Sequence, residues 1–231
     1  MDAKRTPLCD WKSPKLGVAR SDFRVSSAIR KGDILREKVT DTYIQFYNSP
    51  LGELAMRSDG SALIGLGLAS QQVAGAAIAG TRPREESLPI FQDTARWLET
   101  YFRGRAPSFT PKLKLSGSDF QKRVCEIMLT IPFGKTVTYG EIAAQIARER
   151  GIPRMSAQAV GGAVGANPIL IIVPCHRVIG AGGNLTGYGA GMERKIQLLK
   201  LEKVDMTNLF VPKKQPLAKK QPRPKNPRPR P

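Results

Sequence analysis

Cys175, His176 and Arg177 follow one another directly, so a thiol, an imidazole and a guanidinium, three groups used in nucleophilic chemistry, stand in succession. A cysteine attacks only as its thiolate, and it needs a base to take the proton or a cation to hold the anion. His176 is the single histidine of the chain and the natural base. The spacing carries a difficulty, because neighbours in an extended segment point to opposite faces. The imidazole then reaches the sulfur only after a turn or through a bridging water. A competing reading is an inert buried cysteine beside a histidine that satisfies one hydrogen bond, since free cysteine is among the most buried residue types. Local composition leaves both open. Upstream, the apolar run from Ile169 to Val173 suits a buried strand or extended segment that Pro174 stops, which puts the thiol at the edge of the core, facing a pocket.

The elements that must position this stretch are legible in part. Strand patterns occupy Thr42 to Tyr47, Glu53 to Arg57 and Ala62 to Leu68, separated by the turn chemistry of Asn48-Ser-Pro50 and Ser58-Asp-Gly60, and they predict a small antiparallel sheet. Gln71 to Glu86 is Ala/Gly-rich and then charged, and reads as a loop. Phe91, Ala95, Leu98 and Phe102 recur at helical spacing before Gly104, predicting an amphipathic helix from Pro89 to Arg103 packed on that sheet. Ser118-x-x-Gln121 and Thr138-x-x-Glu141 have capping-box form and open helices at 119–129 and 139–148. Gly151-Ile-Pro153 breaks the second, and Ser156 caps a third from Ala157 to Gly165. Two short helices across a tight turn are a helix-turn-helix candidate, or a plain packing unit. Ala157, Ala159, Gly161, Gly162 and Ala163 leave the last helix almost without side-chain bulk. Propensity does not choose adjacent glycines; close approach to a neighbouring helix or to a duplex groove explains them. Ile196, Leu198 and Leu199 give a final helix an apolar face.

Composition bounds the partners. The 231 residues carry a formal charge of +18, which predicts a polyanionic partner, and the competing reading is a solvated basic surface. Residues 1–40 hold ten Lys or Arg against five acids with few periodic apolar positions, and predict a disordered extension. From Met206 onward there are eight Lys or Arg, seven prolines and no acid, predicting an extended mobile tail that supplies much of the pull on a polyanion. With those surpluses removed, residues 41–205 keep only +5. Three cysteines without framework spacing predict a reduced, intracellular protein. No apolar run approaches the ~20 residues of a membrane span, and no signal peptide is visible. A nuclear or cytoplasmic location follows. Pro212-Lys-Lys214 and Lys219-Lys220 with Arg223 resemble a nuclear-import signal, a weak pattern.

Pro174-Cys-His-Arg-Val178 resembles the active-site signature of the O6-alkylguanine-DNA alkyltransferases, and the resemblance runs from about Phe120 to Glu202. Its parts are Ile131-Pro-Phe-Gly134, Thr138-Tyr-Gly-Glu-Ile-Ala143, Ala159-Val-Gly-Gly162, Asn167-Pro168, the cysteine signature, Gly187-Tyr188-Gly189 and a last helix ending near Glu202. The resemblance implies an α/β fold of the α+β kind. An N-terminal sheet-plus-helix support domain (41–115) precedes a helical, winged-helix-like DNA-binding and alkyltransferase domain (116–205). It implies irreversible transfer of an alkyl group from the O6 of guanine, and from the O4 of thymine, in double-stranded DNA to Cys175. No metal or organic cofactor is implied, and with one histidine the zinc site of some relatives cannot be assembled from its usual ligands.

By the same resemblance Glu202, His176 and a water deprotonate Cys175, and Tyr139 assists departure of the guanine. Tyr188 and Val178 line the alkylguanine pocket, widened by Gly189 where the family often has serine. Asn167 bonds the backbone beside Cys175, and Arg177 serves structure or a DNA contact. The second helix of the candidate pair, with Ala157, Ala159, Gly161 and Gly162, enters the minor groove while the guanine rotates out. The chain departs from the family at Gln158, where an arginine normally fills the gap left by the extruded base. Slower or weaker extrusion is expected, offset in part by Arg154. Two other classes stay open: a lesion-binding module without transfer, against which Cys175 itself argues, and a cysteine hydrolase, for which no oxyanion-hole motif is visible. A monomer is expected.

Overall fold

The computed structural model describes residues 42–72 and 84–212. Its first strands are mixed in burial, with β1 mostly half-buried and the middle of β2 and β3 buried, because the sheet packs against the core. β1 (Tyr43–Ser49) and β2 (Gly52–Ser58) pair antiparallel across Pro50 and Leu51, and β3 (Leu63–Leu68) pairs antiparallel with β2. A further strand, β4 (Arg84–Glu85), adds to the other side of β1 in parallel, giving the order β3-β2-β1-β4. The loop expected over Gln71 to Glu86 therefore contains a two-residue strand at its end, too short to leave a periodic signal. Residues 73–83 lie outside the described residues.

Helix α1 (Pro89–Phe102) packs on this sheet, but its buried stripe is Ile90, Phe91, Thr94, Trp97, Leu98 and Tyr101. Ala95 and Phe102, expected on that face, are only half-buried. The rotation turns Tyr101 inward, where its ring stacks on Trp97 at 5.2 Å. Each large apolar side chain so buried stabilises the chain by roughly 1.5–3 kcal/mol.

Helices α2 (Asp119–Leu129) and α3 (Tyr139–Glu149) open with complete capping boxes at Ser118 and Thr138. α4 (Ala157–Gly165) starts at a Ser156 cap, whose hydroxyl accepts from the Ala159 N–H. β5 (Val137–Thr138), immediately before α3, pairs in parallel with β6 (Val178–Ile179), immediately after the Cys175–Arg177 3-10 turn. The entry to the helix pair and the reactive triplet are thus tied side by side. α5 (Met192–Leu201) ends at Glu202, whose backbone N–H caps onto Leu198. One core joins Leu54 and Leu66 of the sheet, Phe91 and Leu98 of α1, Val124 and Met128 of α2, Ile142 and Ile146 of α3, Val160 of α4 and Ile169 to Val173.

Two expectations are corrected. Ile169 to Val173 is buried but is not a strand: it coils into a turn in which Val173 N–H reaches back to the Ile169 carbonyl at 3.1 Å. Apolar composition reports burial, not backbone shape. Met206 to Phe210, expected in the tail, are part of the packed structure. Met206 and Leu209 pack beside Ile179, Leu185 and Leu199, and Phe210 exchanges backbone hydrogen bonds with Gly183 and Leu185. Asn208 lies so close over Gly183 that a Cβ there would collide with its carbonyl oxygen, which is why that turn is glycine. Residues 1–41 and 213–231, where the other disorder expectations and most of the basic clusters fall, lie outside the described residues.

Candidate active site

The turn before the cysteine is closed by one side chain. Asn167 donates from its amide to the Val173 carbonyl at 2.8 Å and accepts from the Ile169 N–H at 3.0 Å. The clamp forces Ile171 to φ 69°, a left-handed conformation that costs a β-branched residue ~1–3 kcal/mol. The sheet edge holds the other side: Leu66 accepts from Leu170 at 2.8 Å and donates to Pro168 at 2.9 Å. Cys175 N–H then folds onto the Val173 carbonyl at 2.8 Å, and the Cys175–Arg177 3-10 turn begins. The Cys175 and His176 side chains therefore leave a turn rather than an extended strand.

Behind Cys175 lies a buried ionic cluster. His176 is 0% exposed and its Nε2 meets Glu202 Oε1 at 2.7 Å, while its Nδ1, also buried, has no partner among the described residues. Arg177 donates from Nε to Glu202 Oε2 at 2.8 Å, from Nη2 to Oε1 at 3.0 Å, and from Nη1 to the Ile131 carbonyl at 2.6 Å. Gly134 N–H also donates to Oε2, at 3.0 Å. Gly134 has φ +75°, and a Cβ there would stand 2.9 Å from the Glu202 carbonyl oxygen, so glycine is what lets this loop approach. Burial alone would raise the Glu202 carboxyl, but the hydrogen bonds from His176 and Arg177 outweigh it and hold it down at about 2. Burial lowers the His176 imidazole against the pull of Glu202. Burial also raises the Cys175 thiol, with Asn167 and the charge of Lys195 acting the other way. The resting pair is a thiol beside a neutral imidazole, and its proton has to move during reaction.

The rim is aromatic. Tyr139, at the start of α3, donates to the Thr186 carbonyl at 3.2 Å. Tyr188 stands edge-on to His176 at 6.4 Å with its hydroxyl buried and unpartnered. Lys195 is 0% exposed, donates to the Val178 carbonyl at 2.6 Å and to the Thr186 carbonyl at 2.9 Å, and burial lowers its amine to about 8. It pins β6 to the loop that carries Tyr188. Gly189 is exposed and its carbonyl accepts from Gln71 at 3.1 Å.

α4 turns Val160, Ala163 and Val164 inward and leaves Ala157, Gln158, Ala159 and Gly162 exposed, with Arg154 exposed just before it. A Cβ at Gly161 would meet the Tyr139 ring in ordinary contact at 3.9 Å, and one at Gly162 would meet nothing within 4 Å. No packing demand among the described residues explains Gly162.

Residues 42–115 match the model of the 6-O-methylguanine DNA methyltransferase ribonuclease-like domain, and residues 119–204 match that of the DNA-binding domain of the same methyltransferases. The chain belongs to this family. A methylated-DNA–protein-cysteine methyltransferase of Mycobacterium tuberculosis strain H37Rv is 47% identical over 157 residues, 68% of this chain and 89% of that one. One from Haemophilus influenzae is 38% identical over 170 residues, 72% and 89% of the respective chains. The crystal structure of M. tuberculosis O6-methylguanine methyltransferase superposes with TM-score 0.59 at 44% identity, covering 70% of this chain and 93% of that one. The crystal structure of M. tuberculosis OGT in complex with DNA does so with TM-score 0.59 at 44% identity, covering 70% and 92%.

Against this family's pattern, the structure brings Cys175, His176, Glu202, Asn167, Val178, Tyr139 and Tyr188 into one neighbourhood. It sets Gln158, Arg154 and the small residues of α4 on the exposed helix face. Of the two roles open to Arg177, the structure takes the structural one: the side chain is buried against Glu202 and lies over the Phe133 ring at 5.8 Å. Its Nε, Nη1 and Nη2 all have partners inside the protein, Glu202 and the Ile131 carbonyl. Two participants escaped the sequence reading, Tyr101 and Lys195. Tyr101 sat in a predicted helix whose apolar stripe was drawn one position away, and Lys195 looked like any surface lysine of an amphipathic helix.

Proposed function

We propose that this chain repairs DNA by direct reversal, moving an alkyl group from the O6 of guanine, and less efficiently from the O4 of thymine, onto the sulfur of Cys175. The observation that carries the reading is the buried His176–Glu202 pair beside Cys175, with the imidazole Nδ1 left unpartnered. With Nε2–H committed to Glu202, Nδ1 is the ring atom able to take the thiol proton, through a bridging water, and Glu202 stabilises the imidazolium that forms. The sulfur then forms a bond to the alkyl carbon as the carbon–O6 bond breaks. The electron pair leaves on guanine, which collects a proton by way of Tyr139, and Tyr188 and Val178 wall the pocket. The product thioether is a poor leaving group, so each molecule acts once. A lesion-binding module that performs no transfer has no use for a thiol backed by a polarised imidazole and is not favoured.

Double-stranded DNA is the partner, and we place it against the exposed face of α4, in the minor groove, where Ala157, Ala159, Gly161 and Gly162 allow close approach. Gln158 stands where the extruded base leaves its gap, with less charge than an arginine brings. We assign residues 42–115 to support and 116–205 to DNA binding and transfer, with basic flanks at 1–40 and, beyond the Met206–Phe210 strap, toward 231; the working unit is a monomer. None of the helices among the described residues is long and apolar enough to cross a membrane. The relatives above are bacterial, and the compartment we infer is the one that holds the DNA: the cytoplasm, or the nucleus in a cell that has one.

The test is a duplex carrying one O6-methylguanine, digested after incubation to count restored guanine. One guanine restored per protein molecule, and none with Cys175→Ser, is expected. Restoration by the serine variant, or many guanines per molecule, would overturn the proposal.

A further inference from the structure

We infer that Tyr101, contributed by the N-terminal sheet-plus-helix half, is a positioning residue of the proton-transfer apparatus, fixing Glu202 and through it the tautomer of His176. The inference rests on the function proposed above but is read by a separate measurement. The Tyr101 hydroxyl donates to Glu202 Oε1 at 2.7 Å and lies 3.2 Å from His176 Nε2, so phenol, carboxylate and imidazole close a triangle. The phenol ring is 0% exposed and held on three sides: stacked on Trp97 at 5.2 Å and edge-on to Phe102 at 5.5 Å and Phe133 at 5.9 Å. Nothing about packing alone requires a hydroxyl there, since phenylalanine would fill the same space.

The hydrogen positions follow from counting donors. A phenol has one proton and a carboxylate has none, so Tyr101 must donate to Glu202. Glu202 Oε1 then already accepts from Tyr101 and Arg177, and the one remaining arrangement without lone-pair repulsion has Nε2 carrying its hydrogen toward Oε1. That leaves Nδ1 as a lone pair, the state in which it can receive a proton from Cys175. Tyr101 also divides the carboxylate's hydrogen-bonding capacity, limiting how strongly Glu202 draws the imidazolium. The groups that face His176 are Glu202 and Tyr101 at Nε2, Arg177 through Glu202, Lys195 by its charge, and the Tyr188 ring edge. Of these, only Tyr101 comes from outside the DNA-binding half. The support half therefore reaches into the catalytic centre through one hydroxyl.

Because the chain has a single histidine, its imidazole can be read without ambiguity. Full-length protein labelled with ¹⁵N-histidine gives the tautomer and the titration directly, and alkyl transfer to a free alkylated guanine gives the rate without DNA binding. Wild type is expected to show the Nε2–H tautomer. Tyr101→Phe is expected to slow transfer by about tenfold, because the carboxylate and with it the Nε2–H tautomer are no longer held; the same loss frees Glu202 to bind the imidazolium, moving the imidazole titration and the acid limb of the rate profile upward by roughly half to one pH unit. Tyr47→Phe, which removes a hydroxyl from the ring stacked on Phe102, should change neither. A Tyr101→Phe protein with rate and titration unchanged would reduce Tyr101 to packing and overturn the inference. So would an Nδ1–H tautomer in wild type, which decides the matter even if the variant does not fold. A wild type with the expected tautomer but no alkyl on Cys175 would instead sink the function proposed above, and with it the proton-transfer role of Tyr101, leaving only its hold on the His176 tautomer.

Discussion

Replacing Glu202 by glutamine separates the chemical from the structural work of the buried cluster. The carboxylate accepts from His176, Tyr101 and Arg177 on Oε1 and from Arg177 and Gly134 on Oε2. An amide keeps one acceptor. Whichever way it turns, its NH2 group faces donors: Gly134 N–H and Arg177 Nε on one side, or His176, Tyr101 and Arg177 Nη2 on the other. The substitution also strips the buried Arg177 of its counter-charge. Breaking a buried pair in this way costs about 3–5 kcal/mol, and for a domain of this size each kcal/mol lowers Tm by roughly 2–4 °C. A fall in Tm of about 6–20 °C is expected by differential scanning calorimetry. The imidazolium loses its stabilising anion at the same time, and removing that support from a general base is expected to slow transfer on the order of 10²-fold. The assay is labelling of Cys175 by a free alkylated guanine, run well below the lowered Tm so that only folded protein is counted. A protein with depressed Tm that reacts within threefold of wild type would show Glu202 to be structural and refute the relay.

Gln158→Arg is expected to speed repair of a lesion in duplex DNA severalfold while leaving reaction with the free base unchanged; equal duplex rates would remove Gln158 from the extrusion step. Asn167→Ala abandons two buried backbone groups at Ile169 and Val173. At ~1–3 kcal/mol each it should lower Tm by at least about 4 °C and slow transfer, as read by melting and labelling. Changing the eight Lys and Arg of residues 213–231 to Gln should flatten the salt dependence of binding to unmodified duplex, by as much as ~0.9 in log–log slope per charge engaged. Stability should fall in acid. His176 is held below its ordinary 6.5, so the unfolded chain binds a proton there that the folded chain refuses, and stability drops as pH falls through 6.5. Glu202, held at about 2 against 4.5, adds a second loss from pH 4.5 down to about 2. Urea titrations across that range should show both steps.

How much of this was legible in the sequence depended on the kind of signal. Capping boxes at Ser118 and Thr138 fixed two helix starts to the residue, because a cap is a local hydrogen bond written in two side chains. The apolar run before Cys175 told of burial yet misled about shape, since the Asn167 clamp that coils it is a contact with both ends of the run. The charge of Glu202 was readable only through the family resemblance: a glutamate at a helix end is ordinarily solvated, and what makes this one different is Arg177, Gly134 and Tyr101 arriving from three separate stretches. Tyr101 itself illustrates the limit. A rotation of the buried stripe by one position on α1 decides whether its hydroxyl meets water or the imidazole, and periodicity does not resolve that rotation.

The central claim is that Cys175 accepts the alkyl group and keeps it. Intact-protein mass after incubation with a duplex holding one O6-methylguanine, followed by peptide mapping, tests it most directly. The expected result is a gain of one CH2 group per molecule, located on Cys175, stable to excess fresh protein and absent from Cys175→Ser. A methyl group found on Cys125 or elsewhere, or lesion binding with no gain in mass, would contradict it.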